Sequence, residues 1–329
     1  MKVSDYIADF LYAQDVKCVF ELVGGMITHL VDSLNRQGKI QIVSVHHEQA
    51  AAFAAEAMAR ITGVPGVAMA TSGPGATNLL TGIGSCYFDS IPVVFITGQV
   101  NLKEQKGKRQ IRQLGFQETD IVSMAEPITK AAWRVQSPED IPLILEQAFI
   151  CASSGRPGPV LIDIPMDIQR SEITAKISKQ VFCADAGEYD SQVIKDMVTD
   201  LKTSENPLIL AGGGLRSARV VNLFRKFVDQ VKVPVVNSLM AVDILPYTHP
   251  LRVGLIGSYG NRWANMAIGR ADFLLVLGSR LDIRQTGSDV DAFKGNRKIY
   301  HVDCEAGEIN NRLKGCKAIL AHLRPFLSE

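Results

Sequence analysis

Val67-Ala68-Met69-Ala70-Thr71-Ser72-Gly73-Pro74-Gly75-Ala76-Thr77-Asn78 is the stretch whose reading decides the fold. A short apolar run, with no polar residue alternating through it, stops at a Gly/Pro turn and opens into residues of helical composition. Unbroken apolar runs of this kind suit strands covered on both faces. The turn lets a ligand approach the backbone closely, with free N–H groups at a helix start. The same unit recurs. Val16–Val23 runs into Gly24-Gly25, Val93–Thr97 stops at Gly98, and Val160–Ile164 stops at Pro165. Later, Leu208–Ala211 precedes Gly212-Gly213-Gly214, and Phe273–Leu277 precedes Gly278. Helices are predicted between these runs over Val3–Gln14, Glu48–Thr62, Ala76–Tyr87, Pro138–Ser153, Ser191–Thr203 and Ser217–Val231. Alternating strand and helix predicts an α/β fold of two doubly wound domains with mainly parallel sheets, and puts ligands at the strand carboxyl ends.

Two domains also follow from length, since 329 residues at roughly 100–200 per domain give that number. Gly155-Arg156-Pro157-Gly158-Pro159 leads into the strand that closes the first domain, placed at 1–170. Residues 171–190 are polar and without period, and are read as a linker to a second domain at 191–329. Lys plus Arg total 35 and Asp plus Glu total 34, a net charge of +1, which excludes the basic footprint of a general nucleic-acid binder. At 47% hydrophobic and 21% charged the chain has ample material for packed cores. Six cysteines lie far apart with no CxxC pair, as expected for reduced core thiols. No apolar run approaches a membrane span and no signal-peptide pattern opens the chain, so a soluble, cytoplasmic protein is expected.

Three motifs carry chemistry, each with a plainer reading. In His46-His47-Glu48-Gln49, Glu48 opens an Ala-rich helix, where an acid most often serves the helix dipole. HExxH metal spacing is absent, because Ala51 stands where the second His belongs. Thr71–Asn78 is neither a Walker loop nor GxGxxG, and strand-to-helix turns use glycine for geometry alone. Gly115-Phe116-Gln117-Glu118-Thr119-Asp120 follows a polar, basic stretch, Asn101–Arg112, and reads as a surface loop ending in a capped helix start.

In order, these motifs resemble the amino-terminal, pyrimidine-binding domain of thiamine diphosphate enzymes, closest to the acetolactate synthase type. Gly24-Gly25, His47-Glu48-Gln49, Thr71–Asn78, Asp89-Ser90-Ile91-Pro92 and Phe116–Asp120 carry that resemblance, and Gly155–Pro165 continues it. Gly212–Gly214, Gly278-Ser279-Arg280-Leu281-Asp282 and His301-Val302-Asp303 resemble the family's central domain. The resemblance implies that Glu48 lies beside N1′ of the cofactor's aminopyrimidine, favouring the imino tautomer that takes the thiazolium C2 proton. Gly24, Gly25, Pro74 and Asn78 would then wall the pyrimidine, with Phe116 and Gln117 near the substrate. It also implies a flavin-type site at Gly212, Gly213, Gly214, Arg280, Arg284 and Asp303. There, Glu126 and Cys316 depart from the usual residues, so FAD, another nucleotide or an empty site all stand open. Leu22-Val23 replaces the family's usual Tyr-Pro, which bears on substrate preference.

The family holds the cofactor's diphosphate through Mg²⁺ on a third domain marked by Gly-Asp-Gly. These 329 residues contain no Gly-Asp-Gly and assign no metal ligand. The expectation is part of a homodimeric or homotetrameric carboligase or decarboxylase acting on a 2-oxo acid such as pyruvate, a fragment inactive alone. The alternative is a non-catalytic regulatory or assembly subunit.

Overall fold

The computed structural model describes residues 1–179 and 190–328 and divides into two units, Met1–Cys183 and Ala184–Glu329. In the first unit the order is α1 (Val3–Ala13), β1 (Cys18–Leu22), α2 (Thr28–Gln37), β2 (Gln41–Ser44), α3 (Glu48–Thr62), β3 (Gly66–Ala70), α4 (Pro74–Asn78) and α5 (Leu80–Asp89). It continues with β4 (Val93–Gln99), α6 (Ile121–Ala125), β5 (Ala131–Arg134), α7 (Ile141–Ser153), β6 (Val160–Pro165) and α8 (Met166–Arg170). The strands pair in parallel in the order β2-β1-β3-β4-β6-β5. β3, β4 and β6 are buried along their whole length, which explains their predominantly apolar runs, with Thr97, Gln99 and Asp163 the buried polar residues among them. One face of the sheet packs against Tyr6, Phe10, Leu30, Leu34, Leu145 and Phe149 from α1, α2 and α7. The other packs against the alanine face of α3 (Ala51, Ala52, Ala55, Ala59) and against Ile83 and Cys86 of α5. Small side chains on α3 let that helix lie close to the sheet, and this seats Glu48 at its first turn.

The second unit runs α9 (Ser191–Thr203), β7 (Pro207–Ala211), α10 (Gly214–Ser217), α11 (Val221–Val231), β8 (Val235–Asn237), β9 (Arg252–Leu255), α12 (Arg262–Arg270) and β10 (Phe273–Leu277). It ends with α13 (Ile283–Thr286), α14 (Val290–Lys294), β11 (Lys298–Asp303), β12 (Lys317–Leu320) and α15 (Leu323–Ser328). Its parallel sheet is ordered β12-β11-β10-β7-β8-β9, a doubly wound dinucleotide-type topology with the reversal between β7 and β10. Two doubly wound α/β units are therefore present, as the sequence predicts.

The stretch read as a linker, 171–190, falls in two parts. Residues 171–179 lie against the first unit: Val3 N–H donates to Ser171 O at 2.9 Å, and Gln14 Nε2 donates to Ser178 O at 2.9 Å. Ile173 is buried there. Residues 180–189, with Cys183, lie outside the described residues. Of the other cysteines Cys86 and Cys316 are buried, and burial pushes both thiols up. Among the described residues no helix is long and apolar enough to cross a membrane.

Candidate active site at the carboxyl ends of β1, β2 and β3

In the first sheet the chain leaves β1 for β2 on one side and returns to β3 on the other. The order of connection thus reverses between β1 and β3, where doubly wound sheets open a crevice. Gly24-Gly25 follows β1, Glu48 follows β2, and Thr71–Asn78 follows β3, so one crevice gathers these three segments.

His47, not Glu48, caps α3: its Nδ1 accepts from Gln49 N–H at 3.1 Å. That frees Glu48, only 7% exposed, for another partner. Asn78 Nδ2 donates to Glu48 Oε2 at 2.9 Å, fixing one oxygen and leaving Oε1 turned toward Gly75. A Cβ on Gly75 would stand 3.1 Å from that Oε1 and 2.8 Å from Thr71 Cγ2. Gly73 adopts φ +64°, and a Cβ there would meet Gln117 Cβ at 2.7 Å. Gly24 is closed against the Thr71 side chain, whose Oγ1 accepts Met26 N–H at 3.2 Å, whereas Gly25 borders open space. Pro74 is exposed at the start of α4. Gly24, Gly73 and Gly75 thus let Thr71 and Gln117 close onto bare backbone, a glycine cradle with one Glu48 oxygen beside Gly75 and open space only at Gly25.

Gln117 lies on the rim with φ +59°, and Phe116 beside it is 74% exposed. Their segment is anchored from below. Gln99 Nε2 donates to Thr119 O at 2.7 Å and to Asp163 Oδ2 at 3.0 Å, and Thr97 Oγ1 donates to Asp163 Oδ1 at 2.7 Å. Arg134 pairs with Asp120, the cap of α6, and its Nε is 3.9 Å from Asp163. Sequence reading missed Gln99 and Asp163, and also Glu21. Glu21 is 1% exposed on β1; Ser44 Oγ donates to its Oε1, and its Oε2 has no partner among the described residues. An acid inside the apolar run Cys18-Val19-Phe20-Glu21-Leu22 was the available signal.

Complete burial pushes the Asp163 carboxyl up to about 6, against hydrogen bonds from Thr97 and Gln99 and the nearby Arg134 charge. A carboxyl raised on folding contributes stability that is present below its unfolded value, near 4, and is lost as pH rises through about 6. Asp163→Ala leaves the buried Thr97 hydroxyl unpaired and Gln99 Nε2 with Thr119 O alone, an expected cost of about 2–4 kcal/mol. Urea unfolding of both proteins should show the wild-type advantage shrinking by on the order of 2 kcal/mol between pH 4 and pH 7. A pH-independent difference would contradict the assigned titration.

In the second unit Gly212–Gly214, Arg280 and Asp303 stand at the carboxyl ends of β7, β10 and β11, neighbours in the sheet. Gly214 N–H donates to Gly278 O at 3.0 Å, and a Cβ on Gly212 would lie 2.0 Å from that oxygen, so the two turns themselves need glycine. Asp303 Oδ1 accepts Glu305 N–H at 3.0 Å. Arg280 lies 3.7 Å from Asp282, the cap of α13. Arg284 Nη1 donates to Tyr259 OH at 2.9 Å, with the guanidinium over that ring. His301 bonds Ser279 O at 2.8 Å through Nε2, and burial pushes its pKa down. Among the described residues no three His, Cys, Asp or Glu side chains converge as metal ligands.

Two doubly wound units, the first with a buried carboxylate over a glycine cradle, define a class. Residues 1–124 match the model of the thiamine pyrophosphate enzyme N-terminal TPP binding domain, and residues 194–329 match that of the central domain. The chain belongs to the thiamine pyrophosphate enzyme family. Within it the chain is similar to the acetolactate synthase large subunit of Lactococcus lactis, 36% identical over 99% of this chain and 56% of the relative. It is likewise similar to the Escherichia coli acetolactate synthase isozyme 1 large subunit (37%, over 99% and 57%) and to a probable acetolactate synthase large subunit of Methanocaldococcus jannaschii (38%, over 100% and 55%). The chain thus spans about half the length of the curated relatives it matches.

Proposed function

We propose that these residues are the pyrimidine-binding and central portions of a thiamine diphosphate-dependent enzyme that decarboxylates a 2-oxo acid such as pyruvate and joins the remaining carbons to a second carbonyl compound. The observation that carries this reading is Glu48, buried at a helix start with one oxygen fixed by Asn78 and the other facing a glycine cradle. A ring nitrogen would pair with that second oxygen, and Gly25, which borders open space, leaves room on the β1 side. When bound, thiamine diphosphate supplies the carbon nucleophile that attacks the keto carbon and accepts the electron pair left by CO₂. Glu48 holds a proton at the ring nitrogen opposite Oε1, and Asn78 keeps that carboxylate from rotating. Gly24, Gly25 and Pro74 wall the ring in this reading, and Gln117 and Phe116 border the reacting carbonyl from the rim.

Mg²⁺ and the diphosphate belong, in this reading, to a segment carrying Gly-Asp-Gly, supplied by the same or another chain. Active sites shared between chains make a homodimer or homotetramer the working form. The crevice between β7 and β10 would take a flavin or another nucleotide, with Arg280 and Arg284 toward its phosphates and Asp303 at the far strand end. The test is to join these residues to a diphosphate-binding segment and follow CO₂ release from pyruvate with thiamine diphosphate and Mg²⁺. Release, from a species that light scattering sizes above a monomer, is the expected result. No release overturns the assignment, and a strict monomer at roughly tens of micromolar overturns the shared site.

A further inference from the structure

The loop that leaves the carboxyl end of β4 returns to the crevice rim at Gln117, and its charge is unlike that of the rest of the molecule. Between Val100 and Gln117 stand Lys103, Lys106, Lys108, Arg109 and Arg112 against a single acid, Glu104, in a chain whose net charge is only +1. Elsewhere in this unit arginines meet acids: Arg36 with Asp5 and Asp32, Arg60 with Glu56 and Asp89, and Arg134 with Asp120. Here the acids at hand serve the backbone instead. Glu104 Oε2 accepts from Asn101 N–H at 3.2 Å and from Asn101 Nδ2 at 2.8 Å. Glu118 accepts Lys106 N–H at 2.7 Å with Oε1 and Leu114 N–H at 2.8 Å with Oε2.

Glu118 therefore clamps both ends of the loop beside Gln117, which itself lies against Gly73 of the cradle. The cations are left over. Lys106 Nζ donates to Arg112 O at 3.4 Å, and Arg109 Nη1 donates to the carbonyls of Gln105 at 3.2 Å and Lys106 at 3.3 Å. Among the described residues none of the five reaches a carboxylate within ion-pair distance. Lys108, Arg109 and Arg112 are exposed. A pinned loop of unneutralised cations repels itself, and that cost is offset when an anion sits among them. The carboxylate of a 2-oxo acid is one charge next to the reacting carbon, which is a poor match for several cations on one loop. A phosphate or diphosphate, with several acceptor oxygens, matches them.

We propose that the loop from Lys106 to Leu114 binds a phosphate-class anion carried by the second carbonyl compound, which makes that acceptor a phosphorylated or nucleotide-linked aldehyde or ketone. The proposal rests on the carboligase reading above. In the joining step the electron pair left by CO₂ forms a bond to the acceptor's carbonyl carbon, and its oxygen takes a proton. The anion stays intact and serves only as a handle.

Two measurements separate this proposal from the reading beneath it. Trypsin cuts after Lys106, Lys108, Arg109 and Arg112, so cleavage of the 329-residue chain reports loop occupancy without turnover. Inorganic pyrophosphate, without Mg²⁺, should slow loop cleavage several-fold relative to NaCl at equal ionic strength. Equal rates overturn the proposal whatever the turnover assay gives. In the assembly with the diphosphate-binding segment, glycolaldehyde phosphate should exceed glycolaldehyde in kcat/KM by at least about tenfold, the scale of one charge-assisted hydrogen bond. The combined K108A, R109A and R112A variant should bring that ratio near unity while CO₂ release from pyruvate alone is unchanged. Pyrophosphate protection without acceptor preference would mean a free anion is bound, and a rise in the variant's thiamine diphosphate requirement would mean the cofactor's diphosphate is. Either result overturns the acceptor assignment. An assembly that releases no CO₂ sinks the carboligase reading, while the trypsin measurement still decides the loop.

Discussion

Glu48→Gln is expected to lower kcat of the assembled enzyme by about a hundredfold to ten-thousandfold, the range for loss of a positioned acid–base group. The substitution is close to isosteric, and the Gln side-chain oxygen can still accept from Asn78 Nδ2, the 2.9 Å contact that orients the carboxylate. His47 caps α3 through its own Nδ1, so the helix start does not depend on Glu48. Far-UV circular dichroism and urea unfolding should therefore be nearly unchanged. What disappears is a proton that can be held at a ring nitrogen beside the Gly75 cradle. Asn78→Ala should act in the same direction but more weakly, since it frees the carboxylate without removing it. Near-normal turnover by the Gln variant would show that Glu48 is not the proton-holding group.

The plain reading of Glu48 as a dipole-serving acid competed well on sequence alone because position 47 is histidine, an uncommon cap. Only the geometry shows His47 taking that role and Glu48 turning to Asn78. Buried strands were legible for a related reason: β3, β4, β6 and β10 are covered on both faces, so apolar residues dominate their runs and polar ones such as Thr97 and Asp163 are few. β1, next to an edge, was also legible as Val16–Val23, but β5 and β11 were not. β5 is half-buried throughout and carries Arg134, whose guanidinium is needed at Asp120. β11 reads Lys298-Ile299-Tyr300-His301-Val302-Asp303, its pattern broken by polar groups with structural partners. Tyr300 OH bonds Asp200 at 2.7 Å, Lys298 Nζ bonds the same acid at 2.6 Å, and His301 bonds Ser279 O. Those contacts hold α9 and the β10 turn to the sheet, and no periodicity argument anticipates them.

Helix limits failed where a turn was folded into the element. The predicted helix Ala76–Tyr87 is two helices, α4 and α5, that meet at Leu79. The break is functional in placement, because it ends α4 at Asn78 and aims that amide at Glu48. Asn101–Arg112 reads as a solvated loop from composition. Its anchorage depends on Glu118, a residue beyond the loop whose role is invisible until its two oxygens are seen on the backbone of Lys106 and Leu114.

Thiamine diphosphate is expected to bind the 329-residue chain alone at millimolar strength or weaker, with no dependence on Mg²⁺. The site offers a carboxylate oxygen and a few backbone groups, each hydrogen bond contributing only ~1 kcal/mol net. Association itself costs at least about 4 kcal/mol in lost translational and rotational freedom, which consumes most of that gain. The strongest contacts such a cofactor makes are to its doubly charged diphosphate through a divalent ion, which demands oxygen ligands fixed around the metal. No Gly-Asp-Gly stands in the sequence, and among the described residues no three metal-ligating side chains converge. Adding a diphosphate-binding segment should bring both micromolar affinity and Mg²⁺ dependence in calorimetry, a gain of about three orders of magnitude or roughly 4 kcal/mol. Pyruvate consumption should appear with it and not before. Tight, Mg²⁺-dependent binding by the 329 residues alone would require a diphosphate site within these two units, and the division of labour proposed for Glu48 and its partner segment would then be wrong.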